Sequence, residues 1–242
     1  MPEWILKLGR DFHTAFIEDN RWKYLTEGIG NTLILTFFAL ILGVVLGVVI
    51  ATIRATYDKQ YKEMRNGVGK FFLCVGDKIC KVYLTVIRGT PSMVQILIIF
   101  FIIMASSDNK MLCGVIAFGV NSGAYVAEII RGGIMSLDIG QTEAGRSLGF
   151  NYIQTMWYIV MPQSFKNILP ALANEFIVLL KETAIAGYVG VTDLTRGANI
   201  IRGVTYQSFW PLLAIAAIYL IMVMFFTWLV SKLERRLRNG ER

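Results

Sequence analysis

Glu128, Glu175, Lys181 and Glu182 interrupt stretches of the chain that are otherwise apolar. A charge at a bilayer centre costs about 2.5–3.5 kcal/mol on insertion scales, so each must face a partner or water. Glu175 and Glu182 lie two helical turns apart and share one helix face. Pro170 and Asn174 disturb the backbone just before them. Two carboxylates on one face suit an ammonium or guanidinium group. Internal pairing is the competing account: Glu175 or Glu182 with Lys181, and Glu128 with Arg131 one turn on. Asn121, Ser122 and Tyr125 could supply a facing polar wall, with Thr90 and Gln95 beside it. Helix–helix hydrogen bonds explain these five residues equally well.

A second polar stretch reads Glu143-Ala-Gly-Arg-Ser-Leu-Gly149 and closes on Ile159-Val-Met-Pro162. Asp138 with Gln141 predicts a capping box that opens a short helix through Ser147. Gly149 ends it in a left-handed conformation, and a second short helix runs into Pro162. Ala144, Gly145, Ser147 and Gly149 are small, a poor face for burial in lipid, while Glu143 and Arg146 offer charge handles. Docking into a protein groove is therefore expected, rather than a hairpin lying on the bilayer.

Catalytic chemistry has little to work with. His13 stands alone, and the chain has no HExxH, no glycine-rich phosphate loop and no Ser/His/Asp set. No catalytic or metal-ligating residue is expected, and with no Walker sequence any ATP hydrolysis must occur elsewhere. Cys74, Cys80 and Cys113 lack metal-ligand spacing and read as reduced structural thiols. Met93, Met104, Met156 and Met161 read as packing.

The elements that hold these residues are membrane spans. Apolar residues make up 55% of the chain and mean hydropathy is +0.55. Uncharged runs cover Gly28–Ile53, Gly89–Ser107 and Gly203–Ser231, each reaching the ~20 residues a hydrocarbon core requires. Met111–Ala127 is a further run, and Trp157–Ala186 is apolar but broken by prolines and charges. The reading is an all-α membrane protein with five transmembrane helices, at about 28–53, 89–107, 111–134, 157–186 and 208–231. An amphipathic N-terminal segment (1–23) precedes them, without the pattern of a secretory signal. A basic tail (236–242) follows.

The net charge of +7 is unevenly placed. Arg54, Lys59, Lys62, Arg65, Lys70, Lys78, Lys81 and Arg88 fall between the first two spans, and Lys232, Arg235, Arg236, Arg238 and Arg242 follow the last. Basic loops mark the cytoplasmic side, so the N-terminus is expected outside and the C-terminus inside. This placement argues against nucleic acid. Phe71, Phe72, Val75, Ile79, Val82, Tyr83 and Val86 recur at helical spacing, predicting a surface or interface helix leading into the second span, with a boundary at Arg88-Gly89-Thr90-Pro91. Val191–Ser208 is expected to be an external, partly helical segment.

Taken in order, Glu27-Gly-Ile-Gly-Asn-Thr-Leu33, Arg88-Gly-Thr-Pro-Ser-Met-Val-Gln95, Asn121-Ser-Gly-Ala-Tyr-Val-Ala-Glu128-Ile-Ile-Arg131, the Glu143 loop and Pro170-Ala-Leu-Ala-Asn-Glu175-Phe resemble the polar amino acid permeases of ABC importers, histidine/glutamine type. The resemblance covers roughly residues 24–235. It implies a type I importer permease (MetI-like) core in those residues, with residues 138–162 as the loop that couples to the ATPase. Glu143, Ala144, Gly145, Arg146, Gly149 and Pro162 would form the coupling site, and Glu175 and Glu182 would match acidic substrate positions on the fourth span. It further implies a second permease chain, identical or similar, two cytoplasmic ATPase subunits holding ATP and Mg, and an extracytoplasmic solute-binding protein. The chain itself would carry no cofactor and would sit in a bacterial cell membrane. Two departures stand out: Gly145 replaces the family's second alanine, lowering helix propensity by about 1 kcal/mol, and Met161 replaces leucine before Pro162. A type I permease for another small solute is the alternative. A secondary transporter predicts repeated halves, which the chain does not display.

Overall fold

The backbone of the computed structural model is described over residues 3–61, 64 and 67–239. Lys62, Arg65 and Arg242 lie outside the described residues, as do the side chains of Trp4, Lys59 and Arg238. Among the described residues there is no strand. The helices are α1 (Glu3–Phe12), α2 (Trp22–Gln60), α3 (Val68–Gly89), α4 (Ser92–Ile98), α5 (Lys110–Met135), α6 (Ile139–Ser147), α7 (Tyr152–Thr155), α8 (Met161–Glu182), α9 (Leu194–Thr205) and α10 (Phe209–Asn239).

Three stretches among the described residues are long and apolar enough to cross a membrane: Trp22–Asp58, Lys110–Met135 and Phe209–Leu237. A fourth crossing would need α3 together with Ser92–Ile103, which are bent by 110° at the break between them. The uncharged run 89–107 is thus not one straight span. Its helix starts at Ser92 and ends in a π turn at Ile103, about 18 Å at 1.5 Å per residue. Pro91 accounts for the break, since proline disfavours a helical conformation in the residue before it. α8 is long enough to cross but keeps Lys166, Glu175, Lys181 and Glu182, with Pro170 inside.

The chain divides into two compact units. One comprises Met1–Ala39, Met93–Phe118 and Ile177–Trp228, the other Leu40–Ser92, Gly119–Phe176 and Leu229–Arg242. In the first, Ala15, Phe16, Leu25, Leu194, Ala198 and Ile201 form a buried cluster. The N-terminal segment is therefore partly seated on α9 rather than purely interfacial. The Glu27–Leu33 motif acts here as a clamp. Asn31 Nδ2 donates to the Thr192 carbonyl at 2.7 Å, and Thr32 Oγ1 accepts from Leu194 N–H at 3.1 Å. Asp193 caps α9 by accepting the Arg196 N–H at 2.8 Å. Burial pushes its carboxyl up to about 6, against those hydrogen bonds.

In the second unit α2 and α5 pack closely through glycine. A Cβ on Gly47 would sit 2.5 Å from Val126 Cγ1, and one on Gly119 would sit 2.6 Å from Leu42 Cδ2. Small residues allow such approach where helices meet in a membrane. α3 forms the helix expected there and packs through one side. Asp77, Cys80 and Leu84 are buried, and Cys80 and Leu84 pack with Ile50, Ala124 and Ala127. Most of the apolar stripe that announced the helix (Phe71, Phe72, Ile79, Val82, Val86) is its exposed face. One acid, Asp77, is buried beside Cys80 and Leu84, while Lys78, Lys81, Thr85 and Arg88 are exposed along with the apolar stripe.

Candidate functional site

The Glu143–Pro162 stretch folds as a hairpin of short helices. Asp138 caps α6 by accepting the Gly140 N–H at 2.7 Å. The predicted capping box does not form: the Asp138 side chain takes the Gly140 N–H rather than that of Gln141, and the Gln141 side chain accepts from Gln163 Nε2 at 3.0 Å. The full box lies one helix later, where Asn151 and Gln154 exchange side chain–backbone bonds of 2.9 Å. Gly149 has φ +86°, and Phe150 N–H and Gly149 N–H donate to the carbonyls of Gly145 and Arg146. That pair of bonds is a Schellman turn. At the hairpin's base, Asn167 Nδ2 donates to Ser136 Oγ at 3.0 Å, and Gly133 lets Ile168 approach its backbone. Burial raises the Tyr152 phenol above its ordinary range.

The exposed face differs from the small-residue face expected. Glu143, Ala144, Arg146, Gly149 and Pro162 are exposed, but Gly145 is buried between the hairpin's arms. A Cβ there would stand 2.8 Å from Ile159 Cδ1 and 2.9 Å from Thr155 Cγ2. Gly145 is therefore the contact point of the arms, not part of the hairpin's exposed surface. Large side chains dominate that surface: Leu148 and Ile153 are each 74% exposed and Trp157 is 70% exposed. Sequence reasoning passed over them because an exposed apolar residue looks like a lipid contact until its helix is placed.

Among the proposed substrate residues, the structure brings Ser122 and Glu175 together. Ser122 Oγ donates to Glu175 Oε1 at 2.8 Å, with both residues buried. Asn121 is also buried. Tyr125 is exposed, with the Arg88 guanidinium 5.9 Å from its ring centroid. Thr90 is exposed and donates to the Val86 carbonyl at 2.8 Å, one turn back. Gln95 on α4 and Glu182 at the end of α8 belong to the other compact unit.

Glu128 has the partner expected of it and more. Arg131 Nη2 lies 3.1 Å from its carboxylate, Arg54 Nη1 3.4 Å and Arg88 Nη1 3.7 Å. Asp77, 1% exposed, stands 2.7 Å from Lys81 Nζ and 3.7 Å from Arg54 Nε. Arg54 thus links the two acids. The available signal for Asp77 was an acid four residues before a lysine on a helix, in an otherwise basic stretch.

The family model for the inner membrane component of binding-protein-dependent transport systems matches residues 69–239. The chain belongs to that family. It is 40% identical over 167 residues to a putative glutamine transport system permease protein of Rickettsia typhi, covering 68% of this chain and 77% of that one. With the arginine transport system permease protein of Bacillus subtilis it shares 38% over 166 residues, 67% of this chain and 76% of that one. A crystal structure of an amino acid ABC transporter with histidines superposes with a TM-score of 0.79 at 42% identity, covering 91% of this chain and 98% of that one. An inward-facing methionine ABC transporter shares the fold at 17% identity, with a TM-score of 0.71 over 89% of this chain and 97% of that one. The chain is a helical membrane permease component.

Proposed function

We propose that this chain is the transmembrane permease of an ATP-driven importer of polar or cationic amino acids. The observation that carries the reading is the hairpin: its backbone is locked by a Schellman turn and a capping box, yet it exposes Leu148, Ile153 and Trp157. A braced surface of this kind suits a protein groove and transmits force. Its occupant is a separate ATPase subunit holding ATP and Mg. ATP-driven closure of an ATPase pair draws two hairpins together and opens the pathway outward to a solute-binding protein; hydrolysis resets it inward. Two permease chains enclose the path. The chain crosses a bacterial cell membrane five times, with the bent α3–α4 pair and α8 each counted as a span, and with its N-terminus outside. Residues 24–235 form the permease domain.

The substrate class rests on Glu175, an acid held at a fixed position by Ser122 within the transporter body. Relatives named for glutamine and arginine point the same way. Glu175→Gln separates transport from folding, because a glutamine carbonyl still accepts the Ser122 hydrogen bond. Uptake of arginine by the assembled transporter should fall at least tenfold while subunit assembly persists. Unchanged uptake would return Glu175 to a purely structural role.

A further inference from the structure

Glu128 and Asp77 do not neutralise the cations around them. Arg54, Lys81, Arg88 and Arg131 bring four positive charges to these two carboxylates. Arg54, Lys81, Thr85, Arg88 and Glu128 line a cavity of about 470 Å³. Of the arginines that line it, Arg54 has its Nε buried without a hydrogen-bond partner, 3.7 Å from the Asp77 carboxylate. An arginine fork with a spare donor, in a concavity with surplus positive charge, is built for a planar or tetrahedral oxyanion.

The depth of the cavity identifies the kind of anion. Arg54 is the first charge after the uncharged Gly28–Ile53 run on α2, and Glu128 the first after Met111–Ala127 on α5. Both therefore lie where hydrocarbon gives way to headgroups. On α3, Lys81, Thr85 and Arg88 recur at helical spacing on the cavity side. Ile79, Val82 and Val86 form an adjoining stripe, with Val82 63% exposed. A phosphate in the cavity would have an apolar strip beside it for acyl chains. Basic pockets between membrane helices at the cytoplasmic level hold anionic headgroups for these reasons.

We infer that the cavity lined by Arg54, Lys81, Thr85 and Arg88 is a binding site for the phosphate of an anionic phospholipid. It adjoins the α3–α4 break at Gly89–Pro91, so an occupied site fixes the last turn of α3 against α5 just before the bend. The inference does not depend on which solute the transporter carries.

The test is native mass spectrometry of the purified full chain titrated with phosphatidylglycerol, with phosphatidylcholine and inorganic phosphate as controls. Phosphatidylglycerol should bind at least tenfold more tightly than phosphatidylcholine. Lys81→Gln with Arg88→Gln should weaken it about 30-fold, each basic residue near an anionic surface being worth roughly fivefold. Thr85→Phe, which leaves every ion pair in place and fills the cavity, should abolish the preference even if the charge variant fails to fold. Equal binding of the two lipids, or a preference that survives Thr85→Phe, overturns the site. Displacement of the lipid by millimolar inorganic phosphate would assign the cavity to a free anion and overturn the lipid.

Discussion

Replacing Gly145 with alanine restores the residue found more often in coupling loops, and propensity alone predicts a more stable helix by about 1 kcal/mol. The structure predicts the opposite. The new Cβ would stand 2.8 Å from Ile159 Cδ1 and 2.9 Å from Thr155 Cγ2. The isoleucine methyl ends a flexible side chain and can move aside. Thr155 cannot: it is β-branched, fully buried and inside the next short helix. Overpacking of this kind costs about 1–3 kcal/mol, so the net effect is a loss of about 1 kcal/mol. For a chain of this size that lowers Tm by about 2–4 °C. The arms should also splay, weakening stimulation of the ATPase in the assembled transporter. Thr155→Ser removes the offending Cγ2 and should recover both losses, giving a favourable coupling energy in the double-mutant cycle. Thermal unfolding of the purified chain reads the first quantity and ATPase stimulation the second. A Gly145→Ala variant that is more stable than the parent, or indifferent to Thr155→Ser, would refute the packing argument.

Further outcomes follow from the other sites. Glu128→Gln leaves Arg54, Arg88 and Arg131 facing one another, and because the site is partly exposed the loss should be about 1–3 kcal/mol rather than the 3–5 of a fully buried pair; denaturant or thermal unfolding measures it, and an unchanged midpoint would contradict the network. Asp193 titrates near 6 when folded and near 3.9 when unfolded, so the folded state holds the extra proton and stability falls as pH rises from about 4 through about 6. The drop is about 3 kcal/mol; Asp193→Asn should keep the helix cap and flatten the profile, and a parent Tm independent of pH across that window would exclude the effect. Gly47→Val should drive α2 from α5 and reduce the folded yield, whereas Gly30→Val, where a Cβ meets nothing within 4 Å, should not; fluorescence-detected size exclusion compares them.

What could be read beforehand depended on how local each cause was. Gly149 and its left-handed turn follow from three neighbouring residues, and the helices of α2, α5 and α10 follow from long uncharged runs. The bend at Pro91 was visible as a boundary, but its 110° angle depends on what α3 packs against. α3 itself was readable as a helix, but not which face of it packs, because most of its apolar stripe faces outward while Asp77, Cys80 and Leu84 are buried. The Arg54–Asp77–Glu128 network joins residues 74 positions apart or fewer on three helices, and only the Glu128–Arg131 and Asp77–Lys81 pairs lay within one segment. Gly145 shows the same limit: a helix weakness in sequence is a packing requirement in space.

Reconstitution with partner ATPases and a solute-binding protein in proteoliposomes tests the central claim most directly. ATP supplied on the hairpin side should drive uptake of arginine or glutamine only when the binding protein is present, and Gly149→Trp should abolish it by disturbing the docked hairpin. Uptake without ATP, or ATPase activity that no amino acid and binding protein can stimulate, would contradict the account.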